Sequence, residues 1–220
     1  MANAAEDRPA HLTLYSRSHV VTDWDCPRKR FLQYEYKGKG IVSGSTHLEL
    51  YLGTCIHDGL AAIATSWQAQ GSADIDLIAS TAFTQVHEAL QPLESTSVDD
   101  KDFPAAQATL VEGLLRGFYA HSWPTLISTY PQIRYIEKEM TFVHDGLTFM
   151  AKPDLVLASE AGDLYYIEYK STSSKKPEWI NSWNTAIQLH STIRAIENEA
   201  QQAVTGVIVV GLYKGYKSYN

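Results

Sequence analysis

Apolar positions recur at helical spacing along the first half of the chain and at strand spacing along the second. From about Ser18 to about Ser122 the pattern is helical. Ile56, Leu60, Ile63 and Trp67 follow one another at intervals of four, three and four residues, the stripe of an amphipathic helix. Two further helices are predicted near Asp74 to Leu90 and Pro104 to His121, and the polar, acidic stretch from Glu94 to Asp102 between them reads as mobile. From Gln132 a period of two takes over, with Ile136, Met140 and Phe142 on one face and Glu137, Glu139 and Thr141 on the other. His144-Asp145-Gly146 predicts a hairpin turn and Glu160 to Asp163 a second turn, giving a three-stranded antiparallel meander over about 132–170. Pro177 to Ala200 reads as a helix with Trp179, Trp183, Ile187 and Ile193 on its apolar side. The run Val207-Ile208-Val209-Val210 suits a strand buried on both faces.

This order places an α/β core behind a helical region. At 220 residues and 45% apolar, the chain can build one sizeable core, and no repeat or Gly/Ser linker marks a second. The expectation is one domain over 1–220, with 1–16 flexible, 17–130 mainly helical and 131–220 the α/β core. The ending Gly-Tyr-Lys-Ser-Tyr-Asn, so soon after the last strand, suits a compact or a truncated chain. No run of about 18 apolar residues spans a bilayer, and the start carries acidic residues, so the chain reads as soluble and cytoplasmic. Cys26 and Cys55 are too few for a four-thiolate cluster and read as buried free thiols. A net charge of −7 argues mildly against nonspecific nucleic-acid binding while leaving room for a local basic path. Candidate pieces are Arg28-Lys29-Arg30, Lys37 with Lys39, Lys175-Lys176, and Lys214 with Lys217.

The candidate chemistry begins in the strand Leu164 to Lys170. Alternation puts Tyr166, Glu168 and Lys170 on one face and Ile167 and Tyr169 on the other. Asp154 lies thirteen intervening residues before Glu168, and a hairpin can set these carboxylates side by side. Close carboxylates repel unless a cation neutralises them, so the pair suits a hard divalent ion, Mg²⁺ or Mn²⁺. Lys170 would sit near the ion without binding it. Phosphodiester hydrolysis fits this arrangement, since the ion polarises a phosphate oxygen while a lysine orients water and balances developing charge. An isolated Glu-x-Lys, by contrast, is an ordinary ion pair on many exposed strands.

Lys152-Pro153-Asp154 followed by Ile167-Glu168-Tyr169-Lys170 resembles the signature of the PD-(D/E)XK nuclease superfamily, in its RecB-like and CRISPR-associated RecB-like exonuclease branch. The resemblance extends over most of the chain. Ser16-Arg17-Ser18 and Trp24-Asp25-Cys26-Pro27-Arg28-Lys29-Arg30-Phe31 are similar to the family's opening segment, with an aromatic-rich stretch after it. Gly53-Thr54-Cys55-Ile56-His57 is similar to its Gly-x-x-x-His motif at a helix start. Gln188 matches the first position of its Gln-x-x-x-Tyr pattern, with Thr192 in place of the tyrosine.

The resemblance implies a restriction-endonuclease-like α/β fold, a mixed sheet flanked by helices with a helical N-terminal region. It implies a Mg²⁺- or Mn²⁺-dependent deoxyribonuclease with metal ligands His57, Asp154, Glu168 and the Tyr169 backbone carbonyl. Lys170 would position the attacking water, and Gln188 would organise the substrate or the lysine. No iron–sulfur cluster is expected, because cluster-bearing relatives use four cysteines. Glu137 and Glu139 are candidate outer ligands. Trp179 and Trp183 suit either base stacking or a core, and Ser171 to Ser174 with Lys175 and Lys176 suit a polar loop touching phosphates. DNA is the implied partner, together with a second copy of the chain or a recombination or repair protein, in a bacterial or phage-infected cell. The activity expected is a RecB-like exonuclease of recombination, repair or phage DNA processing. The rivals are a structure- or sequence-specific endonuclease of the same superfamily and a noncatalytic DNA-binding or assembly module.

Overall fold

A computed structural model describes residues 14–38, 40–41, 48–91, 103–173 and 176–215. The expectations for 1–13, Lys39, 94–102, Ser174, Lys175 and the residues from Tyr216 onward, Lys217 among them, lie outside the described residues.

Helices α1 (Arg17–Asp25) and α2 (Pro27–Arg30) lead through π-helical and 3₁₀ turns to Gly38, before the long α3 (Leu48–Gln70). Asp74 caps α4 (Ile75–Leu90) by accepting the Leu77 N–H at 3.0 Å, a side-chain acceptor for one of the first-turn donors a helix leaves unpaired. Then α5 (Phe103–Gly117) runs through a π-helical turn into α6 (Trp123–Thr129), so helix continues past the end expected at His121 while staying within the helical region expected to 130. The predicted stripe of α3 is buried at Ile56, Leu60 and Ile63, with Trp67 packed partly against the same core. At Gly59 a Cβ would lie 2.5 Å from a Leu115 methyl, so the glycine makes room for the Leu115 side chain of α5 against α3. Gly53, by contrast, lies six residues into α3 rather than at its start, and a Cβ there would meet nothing within 4 Å.

The strands form two sheets. One contains β2 (Gln132–Ile136), β5 (Leu155–Ala158), β6 (Leu164–Thr172) and β7 (Val204–Tyr213) in the order β2-β5-β6-β7, with β6 and β7 parallel and the other pairs antiparallel. The other contains β1 (Leu14–Tyr15), β4 (Leu147–Ala151) and β3 (Met140–His144) in the order β1-β4-β3. Leu14 and Tyr15, at the end of the segment expected to be flexible, thus pair in parallel with Thr148 and Phe149.

The expected three-stranded meander is therefore corrected to a chain that changes sheets twice. Its first strand stops at Ile136 because Glu137 takes a left-handed backbone conformation, φ 46°, turning the chain out of the sheet. Ile136 packs toward α3, whereas Met140 and Phe142 join the opposite core, so the three do not share a face. The β3–β4 turn follows the sequence: Asp145 and Gly146 both have positive φ, 49° and 76°, as a tight two-residue hairpin requires.

The predicted helix over 177–200 is also corrected. It divides into α7 (Pro177–Asn181), a 3₁₀ turn over Ser182–Thr185, an extended Ala186 and α8 (Ile187–Ala200). Asn and Ser at the break compete for backbone hydrogen bonds and favour turns over helix interior. Ile187 consequently lies on the exposed side, while Trp183 and Ile193 pack inward. In β7, Val207 to Val210 are half-buried rather than buried on both faces, because β7 is the last strand of its sheet among the described residues.

Alternation along β5, β6 and β7 divides two cores. Leu155, Leu157, Ile167, Tyr169 and Leu212 face α3 and α5, while Val156, Ala158, Leu164 and Tyr166 face α8. Helices thus cover both faces of the four-stranded sheet. Among the described residues, no helix is long and apolar enough to cross a membrane. Both cysteines are free; Cys55 is buried, but Cys26 is exposed, against expectation.

Candidate active site

The site forms beside the start of β5 and the middle of β6, where the pairing between them stops. Leu155 pairs with Ile167, so Asp154 and Glu168 are the next residues outward on adjacent strands. Asp154 points toward the α3 side. Its Oδ2 accepts the Tyr169 N–H at 2.7 Å, and its Oδ1 lies 3.0 Å from His57 Nδ1. His57 follows the buried Ile56 at the edge of the α3 stripe, and its side chain keeps 27% exposure.

Glu137 completes this cluster. Its left-handed backbone places its N–H on the Asp154 carbonyl at 3.1 Å and brings its carboxylate within 3.8 Å of His57 Nδ1. Lys152 Nζ holds the other Glu137 oxygen at 2.8 Å. Ligand atoms of His57, Glu137 and Asp154 all lie within 4.8 Å of one another, and among the described residues they are the group so arranged. Glu139 is exposed on the other side of the kink.

Charges explain why this group fits a cation. Burial alone would lower the His57 pKa, but hydrogen bonds to Asp154 and Glu137 and the Asp154 charge raise it from 6.5 to about 9. Burial would raise Glu137, yet His57 and Lys152 hold its carboxyl below the ordinary carboxylate range. The His57 imidazolium and the Lys152 ammonium together thus balance the two acids when no ion is bound. One imidazole and two carboxylates are donors that hard divalent ions accept, and an ion entering there must displace the imidazole proton.

Glu168 belongs to a second group facing α8. It is 1% exposed. The Tyr166 hydroxyl donates to its Oε2, while Lys170 Nζ and Gln188 Nε2 both donate to its Oε1, the glutamine at 2.5 Å. Burial and then the Asp154 charge push the Glu168 carboxyl above its ordinary value, against the pull of Lys170. Burial and the neighbouring Glu168 likewise raise the Tyr166 phenol, which keeps its proton and remains a donor. The Lys170 ammonium lies 5.7 Å from the Trp183 ring centroid, and Trp183 meets Trp179 edge-on.

The structure thus brings His57 to Asp154, and Lys170 and Gln188 to Glu168, in two neighbouring groups. The Tyr169 N–H is engaged by Asp154, while its phenol is buried in the α3-side core, where burial raises its pKa. Glu137, in the sequence a candidate outer ligand, lies in the cluster itself. The kink that places Glu137 is signalled only by the charged run Glu137-Lys138-Glu139 interrupting apolar alternation. A role for Lys152 went unread, as did the Tyr166 hydroxyl, which follows from the same alternation that aligned Glu168. Of the basic pieces, Arg30 is engaged by Asp23 at 2.7 Å and by Glu35. A groove of about 780 Å³ runs between β3 and α8, lined in part by Phe142, His144, Ile187, His190 and Arg194.

Asp154 and Glu168 thus flank the last β5–β6 pair, with a lysine two residues after the second carboxylate. The sequence profile of the PD-(D/E)XK nuclease superfamily matches residues 15–214, and the chain belongs to that superfamily. No curated protein matches it. Membership points to a metal-dependent nuclease, and a nuclease of this superfamily would act on DNA.

Proposed function

We propose that the chain is a Mg²⁺- or Mn²⁺-dependent deoxyribonuclease of the RecB-like branch, an exonuclease of recombination, repair or phage DNA processing. The observation that carries this reading is the contact between His57 of α3 and Asp154, which adds a helix-borne ligand to the strand carboxylates.

In this reading His57, Glu137 and Asp154 would hold the ion. Glu168 and the Tyr169 carbonyl remain proposed members of the ligand set from the family resemblance. A divalent ion held there would supply Lewis acidity toward a phosphate oxygen and lower the pKa of water so that it gives up a proton near neutral pH. Lys170, tethered to Glu168, orients the attacking water and offsets charge on the phosphate. Gln188 limits how Glu168 and Lys170 can turn. Burial of Glu168 removes competing water from their contacts, which strengthens them.

The groove beside α8 suits an outgoing single strand, with Arg194, His144 and His190 for phosphates and Phe142 and Ile187 for bases. The test is end-labelled DNA in linear, covalently closed circular and single-stranded forms, with Mg²⁺ or Mn²⁺. An exonuclease degrades the linear forms and spares the circle. Cutting of the circle would make it an endonuclease, and DNA binding without cleavage a noncatalytic module.

A further inference from the structure

Arg17 lies outside the metal cluster, yet it touches the catalytic network through one residue. Its Nη1 donates to Gln188 Oε1 at 2.9 Å, and the same amide donates through Nε2 to Glu168 Oε1 at 2.5 Å. We propose that Arg17 is a positioning residue for the nuclease reaction: by holding Gln188 Oε1 it fixes the amide so that Nε2 faces Glu168. The proposal rests on the reading of Glu168 and Lys170 as the reacting pair.

A glutamine amide has an acceptor at one end and donors at the other, and a half-turn exchanges them. Guanidinium only donates, and an ionised carboxylate only accepts. Set between Arg17 and Glu168, Gln188 satisfies both in one orientation alone. Without Arg17, the amide can swing into solvent or turn its oxygen toward the carboxylate. Gln188 and Lys170 share Glu168 Oε1, so the amide also limits how far the ammonium can wrap around that oxygen.

The start of α1 holds Arg17 in place. Arg17 is the first residue of the helix, and the preceding Ser16 donates its backbone N–H to His19 Nδ1 at 3.1 Å, with its hydroxyl 2.8 Å from the same nitrogen. Burial, reinforced by the Arg30 charge, lowers the His19 pKa and keeps that nitrogen an acceptor. Helix α1 in turn packs against α8, which carries Gln188. The N-terminal helix is thereby tied to the catalytic strand through one amide.

The test combines cleavage kinetics with an NMR readout of the Gln188 side-chain amide in the full chain. Arg17→Ala is expected to lower kcat about tenfold with KM within twofold, and Arg17→Lys to restore most of it. In a Gln188→Ala background Arg17→Ala should cost nothing further. Independently of activity, Arg17→Ala should move the Gln188 side-chain amide resonances toward solvent-exposed values. Unchanged resonances, a rise in KM with kcat intact, or equal losses in both backgrounds would overturn the proposal. If the wild type does not cleave DNA but the resonances shift as expected, the nuclease reading fails and the positioning contact stands.

Discussion

The two halves of the site are built in different ways. Glu168 and Lys170 stand on a regular strand, their side assigned by alternation and their depth by the core on either side of β6. His57, Glu137 and Asp154 come instead from a helix edge, a left-handed kink and a strand start. The strand-built half is saturated by donors on one buried carboxylate. The other holds its acids together around a protonated imidazole. One half is thus prepared to hold charge in a fixed place, and the other to exchange a proton for a cation.

Substitutions can separate these halves, beginning with the largest effect. Lys170→Met is expected to lower the cleavage rate by about 10³-fold, or about 4 kcal/mol in the barrier, while Mn²⁺ binding measured by calorimetry persists. Loss of both together would mean the halves are not separable. Next, Tyr166→Phe removes one donor from a buried carboxylate. It should reduce activity by roughly 10–100-fold and cost about 1–3 kcal/mol in chemical denaturation.

A pH experiment addresses the other half. His57 has a folded pKa raised to about 9 from 6.5, so in metal-free protein its contribution is fully present below 6.5 and is lost as pH rises through 9. Denaturant unfolding across that window should show on the order of 3 kcal/mol of lost stability, absent from His57→Gln. A parallel decline in the variant would assign the loss elsewhere. The smallest effect is expected at Lys152→Ala. Its ammonium is half-exposed, and freeing Glu137 should weaken Mn²⁺ affinity only a few-fold, below the roughly 10–100-fold typical of buried outer contacts to ligands.

The same contrast explains what could be read from the sequence. Period-two spacing identifies the face carrying Tyr166, Glu168 and Lys170, and the interval back to Asp154 follows from hairpin geometry. His57 at the border of an apolar stripe is legible because helix periodicity fixes its direction. Glu137 is not, because a backbone turn into the left-handed region by a non-glycine residue leaves no periodic trace. The division of β2 to β6 between two sheets is hidden for the same reason: alternation reports which face a residue takes, not which sheet a strand joins. The break at Ala186 separates one apolar stripe into two elements, and a stripe alone cannot show where the helix stops. Arg17 acts across the fold from Gln188, a contact that depends on how α1 packs against α8.

Asp154 joins the two halves, one of its oxygens near His57 and the other on the strand that carries Glu168 and Lys170. The most direct measurement is Mn²⁺ titration of single-turnover cleavage of a labelled DNA duplex by wild type and Asp154→Ala. Wild-type cleavage should rise saturably with Mn²⁺ and vanish with chelator, and the variant should stay inactive at every Mn²⁺ concentration while keeping its fold. Cleavage by Asp154→Ala at the wild-type rate, or wild-type cleavage indifferent to chelator, would contradict the account.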